Sequence, residues 1–377
     1  MTRRSTLFHV DGERGLRGGE RQLLHLAAAL RARGRRNVVY ARAGGELAAE
    51  ARRQGFEVRT LPFLGELDLW SAWRLARDAR REGAVIHCHT GHAAGLAALA
   101  SLGGAPVVCH RRVDFAVSRA SASWKYGRAG KVIAVSEAIA GLLRGAGLPA
   151  EKIAVIPDAI PADAEEAAWI QADERTYVPP DPAEKSEYRR ILSQEFQIDP
   201  AMVWIGNLAA LVPHKDHDTL IAAAVIVLLK RPDARVLIAG RGPEEARLLA
   251  SIKRMGLLGK VLLVGHREDP LPLLKSLDVY VQSSWGEGMG SVLIEAAACG
   301  VPVAATRAGG IPEVVEDGAT GLLVSPRDPE ALAAAILRLV SDRALAARLA
   351  AEARRRLPRF GLKRLAADTE KIYDSLA

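Results

Sequence analysis

A chain of 377 residues is too long for one ordinary hydrophobic core and implies two domains, each able to bury its own. Its 49% hydrophobic and 25% charged residues are those of a soluble globular protein, and no apolar run reaches membrane-helix length. The net charge of +8 is uneven: residues 1–160 hold 25 Lys and Arg against 14 Asp and Glu, and the remainder nets −3. A basic half suits an anionic lipid surface or an anionic acceptor. For single arginines, an arginine-rich composition is the plainer reading. Nucleic-acid binding calls for interleaved aromatics or a known module, and neither is present. The basic opening Met1–Arg4 leads into a first strand rather than a signal peptide. Cys88, Cys109 and Cys299 sit in apolar runs, which predicts buried free thiols in a reducing cytoplasm, with no disulfide frame or zinc spacing.

In chain order, short apolar runs alternate with helical periodicity, the mark of parallel sheets covered by helices. The first half predicts strands at Thr6–Val10, Asn37–Ala41, Glu57–Leu61, Val85–His89, Pro106–His110, Lys131–Val135 and Ile153–Ile156. Helices are predicted at Arg21–Arg33, Leu69–Arg81 and Ala93–Leu102. Leu69–Arg81 carries Trp70, Trp73 and several arginines. Interfacial membrane helices share that pattern, but a core-facing helix with a solvated back is preferred. Prolines and charges break the rhythm between Pro157 and Asp199. The domains are set at 1–165 and 200–359, with 166–199 a linker, a helix within it at Glu184–Phe196, and 360–377 packing back on the first domain. The second half predicts strands at Val203–Gly206, Arg235–Ala239, Val261–Val264, Val279–Gln282 and Pro302–Ala305. Its helices are Asp218–Leu229, Glu244–Met255, Val292–Cys299 and Pro329–Val340.

The most informative segment is Glu287-Gly288-Met289-Gly290-Ser291-Val292-Leu293-Ile294-Glu295. Its glycine-rich turn opens a helix, whose free N–H groups and dipole suit an anion. Two flanking carboxylates would repel that anion unless they face other parts of the same ligand. Nucleotide sugars have that layout, with hydroxyls at both ends and phosphates between. Ser283 and Ser284 directly follow a strand; their plainer role is capping. Gly240-Arg241-Gly242 is first of all a tight strand-to-helix turn, since a lone Gly-x-Gly is weak evidence for phosphate. It lacks the third glycine and the acidic residue of a dinucleotide site. His87 and His89 share one face of a strand, and with His92 they suggest a metal. No carboxylate stands at a companion spacing, so the metal reading is set aside.

The run from Ser283 to Val324, with Cys299-Gly300-Val301-Pro302, Gly309-Gly310-Ile311-Pro312-Glu313 and Asp317-Gly318-Ala319-Thr320-Gly321, resembles glycosyltransferase family 4 over about residues 5 to 375. The resemblance implies an α/β GT-B fold: two Rossmann-like, doubly wound parallel-sheet domains facing a cleft. It implies a retaining hexosyl- or glycosyltransferase that moves a sugar from a nucleotide sugar, UDP- or GDP-linked, to a lipid or saccharide acceptor in cell-envelope polysaccharide, lipopolysaccharide or glycolipid synthesis. His110, Lys215 and Glu287 would be catalytic. Gly18, Gly19, Lys215, Gly240, Arg267, Ser284, Glu287, Gly288, Met289, Gly290 and Glu295 would bind the donor. His89, Arg111 and Arg112 would meet the acceptor, with a surface ion pair to Asp114 as the plainer role for the arginines. No cofactor and no essential metal are expected. Location is expected in the cytoplasm, with peripheral contact at the inner membrane face through the basic first domain as an option. Two positions depart from the family pattern: Ala210 stands where most relatives carry an arginine, and Pro157-Asp158-Ala159-Ile160-Pro161 replaces Pro-Asn-Gly-x-Asp. Arg111, Arg112 or Arg267 are the candidates to supply the missing charge. Two alternatives remain, a sugar-nucleotide epimerase of the same fold and a catalytically silent nucleotide-sugar-binding subunit.

Overall fold

Short apolar runs become the strands of two all-parallel sheets. The computed structural model describes residues 6–172 and 176–376, so the basic opening Met1–Arg4 and part of the expected linker lie outside the described residues. The chain divides into two compact units, Met1–Asp173 with Arg359–Ala377, and Glu174–Pro358.

The first unit holds β1 (Thr6–Asp11), β2 (Asn37–Arg42), β3 (Glu57–Leu61), β4 (Ala84–Cys88), β5 (Val107–Arg111), β6 (Lys131–Ala134) and β7 (Ile153–Val155). Their order is β3-β2-β1-β4-β5-β6-β7. The second unit holds β8 (Val203–Leu208), β9 (Ala234–Ala239), β10 (Val261–Gly265), β11 (Val279–Gln282), β12 (Val303–Thr306) and β13 (Leu322–Val324), ordered β10-β9-β8-β11-β12-β13. Both are doubly wound. The order reverses between β1 and β4 in the first sheet and between β8 and β11 in the second, and ligands of such sheets bind beyond the strands' carboxyl ends at that switch point.

Sheets covered on both faces need strands apolar on both sides. Every residue of β1, β11 and β12 is buried. In the second unit, Val236, Val279 and Val281 pack one way with Leu220, Leu332 and Ile336. Trp204, Leu237 and Tyr280 pack the other way with Leu192 and Phe196. In the first, Leu7, Val85 and Val108 meet Leu26, Leu30, Leu362 and Leu365. The last helix, Leu362–Asp374, therefore belongs to the first unit's core.

The proline-rich stretch is more ordered than a plain connector. The helix Ala164–Trp169 lies in the first unit, and Pro182–Phe196, capped by Asp181, sends Leu192 and Phe196 into the second core. Several elements escape periodicity, the nine-residue helix Glu137–Gly145 among them. β13 has only three residues. Glu46–Arg53 is short, and Arg343–Arg355 buries only Ala346, Leu349 and Ala350, too small a stripe to stand out.

The helix Leu69–Glu82 faces the core on one side only. It buries Ser71, Ala72, Leu75, Ala76, Asp78 and Ala79, and leaves Trp70 and Trp73 exposed. Small residues at i, i+3, i+4 and i+7 form the core stripe, so the tryptophans fall on the outer face.

Candidate active site

In the second unit the two strands at the switch point deliver the chemistry. β8 runs into the loop carrying Lys215, and β11 runs into Ser283, Ser284 and Glu287. Lys215 Nζ lies 2.5 Å from Glu287 Oε2. The same oxygen accepts from Gln282 Nε2 at 3.0 Å and from Ser284 Oγ at 3.2 Å. Gln282 is oriented in turn by the buried Tyr280 hydroxyl, which donates to its Oε1 at 2.5 Å.

The two loops are tied together. Ser283 Oγ donates to the Lys215 carbonyl at 3.0 Å, Trp285 N to the His214 carbonyl at 3.0 Å, and Trp285 Nε1 to the Pro213 carbonyl at 3.1 Å. Asp216 caps the following helix by accepting from Thr219 N. Behind Glu287, Gly309 has φ +49° and a Cβ there would lie 1.9 Å from the Glu287 carbonyl oxygen. Gly310 N donates to that oxygen at 3.0 Å. Only glycine allows this backbone-on-backbone approach. An ion pair held from so many sides is preorganised, not a loose surface contact.

Other expected donor residues lie on the same sheet edge. Gly288 and Met289 are buried in the turn after Glu287, Gly290 caps the helix Ser291–Ala298, and Glu295 is half-buried on that helix. Gly240 follows β9, where an added Cβ would lie 1.9 Å from the Ala209 carbonyl oxygen. Its need for glycine is thus close approach to the neighbouring loop. Ala210 is exposed on that loop. Arg267 is turned toward the helix Pro182–Phe196. Its guanidinium pairs with Glu195 at 2.7 Å and lies 4.8 Å from the centre of the Phe196 ring. His217, pulled to about 4 by burial, hydrogen bonds Asn207 at 3.1 Å and helps fix the end of β8.

The first unit builds a different site at its switch point. β1 supplies His9 and Asp11, β4 and its end supply His87 and His89, and β5 supplies His110. His9 and His87 are register partners. All four imidazoles are buried. Burial is the chief cause that holds them neutral: His9 falls to about 4, and His87, His89 and His110 lie well below the usual range, with the charge of Arg112 adding.

Arg112 fixes the direction of their hydrogen bonds, because a guanidinium only donates. Its NH1 gives to His89 Nδ1 at 3.2 Å and its NH2 to His110 Nδ1 at 3.3 Å, while its Nε gives to Asp158 Oδ1 at 2.9 Å. Neutral His89 therefore carries its proton on Nε2 and donates it to His9 Nδ1 at 3.1 Å. His9 donates onward from Nε2 to Asn37 Oδ1 at 2.9 Å, and Asn37 to the Arg35 carbonyl at 2.9 Å. By the same logic His110 carries its proton on Nε2, which is buried and has no partner among the described residues. It is a donor in waiting.

The expected acceptor residues are held by contacts within the first unit. His89 has both ring nitrogens engaged and is buried. Arg112 spends three donors on His89, His110 and Asp158, not on Asp114. Arg111 is buried, donating to the Tyr126 hydroxyl at 3.0 Å and to the Phe115 carbonyl. Asp158, the residue that departs from the family pattern, acquires a reason: it neutralises Arg112. Gly18 and Gly19 open the helix Gly18–Ala32, and Gly19 lies beside the Arg112 stem, 4.0 Å from where a Cβ would sit.

A metal reading also has a geometric basis. One nitrogen from each of His9, His87 and His89 lies within 4.8 Å of the others. His9 and His89 would have to surrender their shared hydrogen bond, and the Arg112 guanidinium beside them opposes a cation. His9 and His89 serve instead as links in a hydrogen-bonded series, while His87 Nδ1 lies 2.6 Å from the Tyr373 hydroxyl.

Asp11 went unremarked in the sequence. Burial pushes its carboxyl up to about 7, with Glu20 adding repulsion. Its Oδ2 is buried and has no partner among the described residues. The only sequence signal was a carboxylate at the end of an apolar strand.

The family model for glycosyl transferases group 1 matches residues 189–356, and that for Glycosyltransferase Family 4 matches residues 16–164. N-acetyl-alpha-D-glucosaminyl L-malate synthase of Bacillus anthracis is 32% identical over 203 residues, covering 53% of this chain and 51% of its own. Lipopolysaccharide core biosynthesis mannosyltransferase LpsB of Rhizobium meliloti is 31% identical over 52% of this chain and 57% of its own. The chain thus spans about half the length of the curated relatives it matches. Anabaena Alr3699/HepE, crystallised with UDP and glucose, is similar in fold at a TM-score of 0.84, with 24% identity over 99% of this chain and 100% of its own.

Proposed function

Because the chain belongs to glycosyltransferase family 4 and has the GT-B fold of two Rossmann-like domains, we propose that it transfers a sugar from a nucleotide sugar to a saccharide or lipid-linked acceptor. The observation that carries this reading is the Lys215–Glu287 pair at the second unit's switch point. On this reading Glu287 accepts from donor-sugar hydroxyls and Lys215 turns to the diphosphate. A cation there stabilises the charge that grows on the leaving group as the glycosidic bond breaks. Ser284 and the Gly288–Gly290 turn line the sugar and phosphate positions, Gly240 lines the pocket, and Glu295 accepts from the ribose. Arg267 stands on the loop at the nucleotide end. From the first unit, His110 offers its Nε2–H to a saccharide hydroxyl, with Arg112 and His89 holding the tautomer.

The incoming hydroxyl attacks the face that the phosphate leaves, so the anomeric configuration is retained. The donor is a UDP- or GDP-sugar, and the reading needs no divalent ion. The acceptor belongs to cell-envelope polysaccharide, lipopolysaccharide or glycolipid synthesis, and the basic first unit supports peripheral contact with a membrane. No described helix is long and apolar enough to cross one. Neither relative named above is an epimerase.

The direct test is thermal unfolding with UDP-, GDP- and ADP-sugars, since a ligand that binds only the folded state raises the midpoint. One nucleotide class is expected to stabilise the chain. NMR of the transfer product, run with and without EDTA, should show retention and an unchanged rate. Epimerised donor without acceptor, or no stabilisation by any nucleotide sugar, would sink the reading.

A further inference from the structure

The outer face of the helix Leu69–Glu82, with the loop before it, is apolar where water is expected. Leu64, Leu67 and Leu69 are 82%, 71% and 69% exposed, and Trp70 and Trp73 are 51% and 56% exposed. The core has no use for them, because the helix buries its opposite, small-residue stripe. The ridge is also held in place. Lys125 Nζ pairs with Glu66 at 2.5 Å, and Asp68 accepts from Leu64 N at 3.1 Å and from Ser71 Oγ at 2.6 Å. A rigid exposed ridge of large apolar side chains marks an interaction surface.

The surrounding charge names the occupant. Arg74 lies 5.4 Å from the centre of the Trp70 ring and Arg77 lies 5.1 Å from that of Trp73. Arg80 and Arg81 are exposed in the last turns. The acids of this helix are spent: Asp78 is buried against the Tyr40 hydroxyl and Arg77, and Glu82 pairs with Arg36 and Arg59. Arg77 is spent on Asp78, so the charge left beside the ridge among the described residues is that of Arg74, Arg80 and Arg81, all of one sign. Indole rings settle at the depth of lipid headgroups, and arginine stems cover apolar surface while their heads reach phosphate.

We propose that this ridge docks the first unit on an anionic lipid bilayer, with Leu64, Leu67, Trp70 and Trp73 entering the headgroup–acyl boundary and Arg74 and Arg81 meeting lipid phosphates. It deepens the reading of a membrane-borne acceptor, but the docking itself requires no transfer activity and is measured without it.

The test is flotation of the full chain with vesicles of phosphatidylcholine alone and with added phosphatidylglycerol, at low and high salt. The wild type is expected to float with the anionic vesicles and to dissociate as salt rises. The variant L67S/W70S/W73S, checked for an unchanged unfolding midpoint, is expected to lose at least about tenfold in partitioning. It should keep wild-type transfer to a short water-soluble acceptor. A second variant, R74E/R81E, leaves the Arg77–Asp78 pair intact and is expected to abolish the preference for anionic vesicles. No wild-type flotation, or equal flotation of both variants, overturns the proposal. So does self-association through the ridge without vesicle binding. If the transferase reading fails while flotation behaves as stated, the docking surface stands by itself.

Discussion

The two units use one architecture and opposite electrostatics. At the second unit's switch point a lysine and a glutamate form an ion pair, held 2.5 Å apart and braced by Gln282 and Ser284. At the first unit's switch point four imidazoles are stripped of charge by burial, and one arginine sets the tautomers of His89 and His110. A doubly wound sheet fixes where a ligand goes; the residues at its strand ends decide whether it meets ions or aligned dipoles. The second site suits a diphosphate. The first suits neutral hydroxyls, for which a directed N–H is more selective than a charge.

The comparison breaks most visibly at the ion pair. Lys215→Ala and Glu287→Ala are each expected to lower kcat by about a thousandfold, equivalent to about 4 kcal/mol of transition-state stabilisation. Urea unfolding of both variants should match the wild type within about 1 kcal/mol, since the pair serves the ligand rather than the fold.

The first unit answers to pH, with two opposing signs. His9 titrates near 6.5 when unfolded and at about 4 when folded, so the unfolded chain takes up the proton first. Its contribution is complete above pH 6.5 and is lost as pH falls toward 4, on the order of 3 kcal/mol. The half-buried His25 and the buried His87, His89 and His110 act in the same direction. Denaturant titrations at pH 7 and pH 5 should show a marked loss, with a shallower slope in His9→Gln. Asp11 does the reverse. Its folded value is raised from 3.8 to about 7, so stability drops as pH climbs through that window. Asp11→Asn should therefore be more stable than wild type at pH 8, by roughly 2 kcal/mol, with the gain gone at pH 4. A constant difference across that range would show that Asp11 is not a buried acid.

The finest distinction concerns Arg112. Lysine keeps the charge but cannot fork between two imidazoles. Arg112→Lys is expected to cost roughly tenfold to a hundredfold in kcat/KM, about 1.4–2.7 kcal/mol. Nitrogen-15 chemical shifts of His110 should report a mixture of tautomers in place of one. Loss of activity with His110 still fixed in its wild-type tautomer would remove Arg112 from this positioning role.

Most of the architecture was legible because apolar runs such as Val279–Gln282 and stripes such as Leu23–Leu30 carry their own period. Direction was harder to read. In the helix Leu69–Glu82 it is Ala72, Leu75, Ala76 and Ala79 that hold the core face, with Trp70 and Trp73 outside. At the site, Lys215 and the Glu287–Glu295 turn could be found from local pattern. The histidine relay could not, because its members come from β1, β4 and β5 and meet only through parallel pairing. Asp158 was visible only as a mismatch to a family motif, and its partner Arg112 lies 46 residues earlier.

The sense of the Arg112–His89–His9–Asn37 series has a bearing on proton traffic. Every link points the same way, from a guanidinium that does not deprotonate to a main-chain oxygen that does not accept a proton at ordinary pH. Such a series is insulated at both ends and conducts nothing. Under the proposed transfer, a hydrogen released by the acceptor alcohol would find no path through this series, which would leave the departing phosphate to take it.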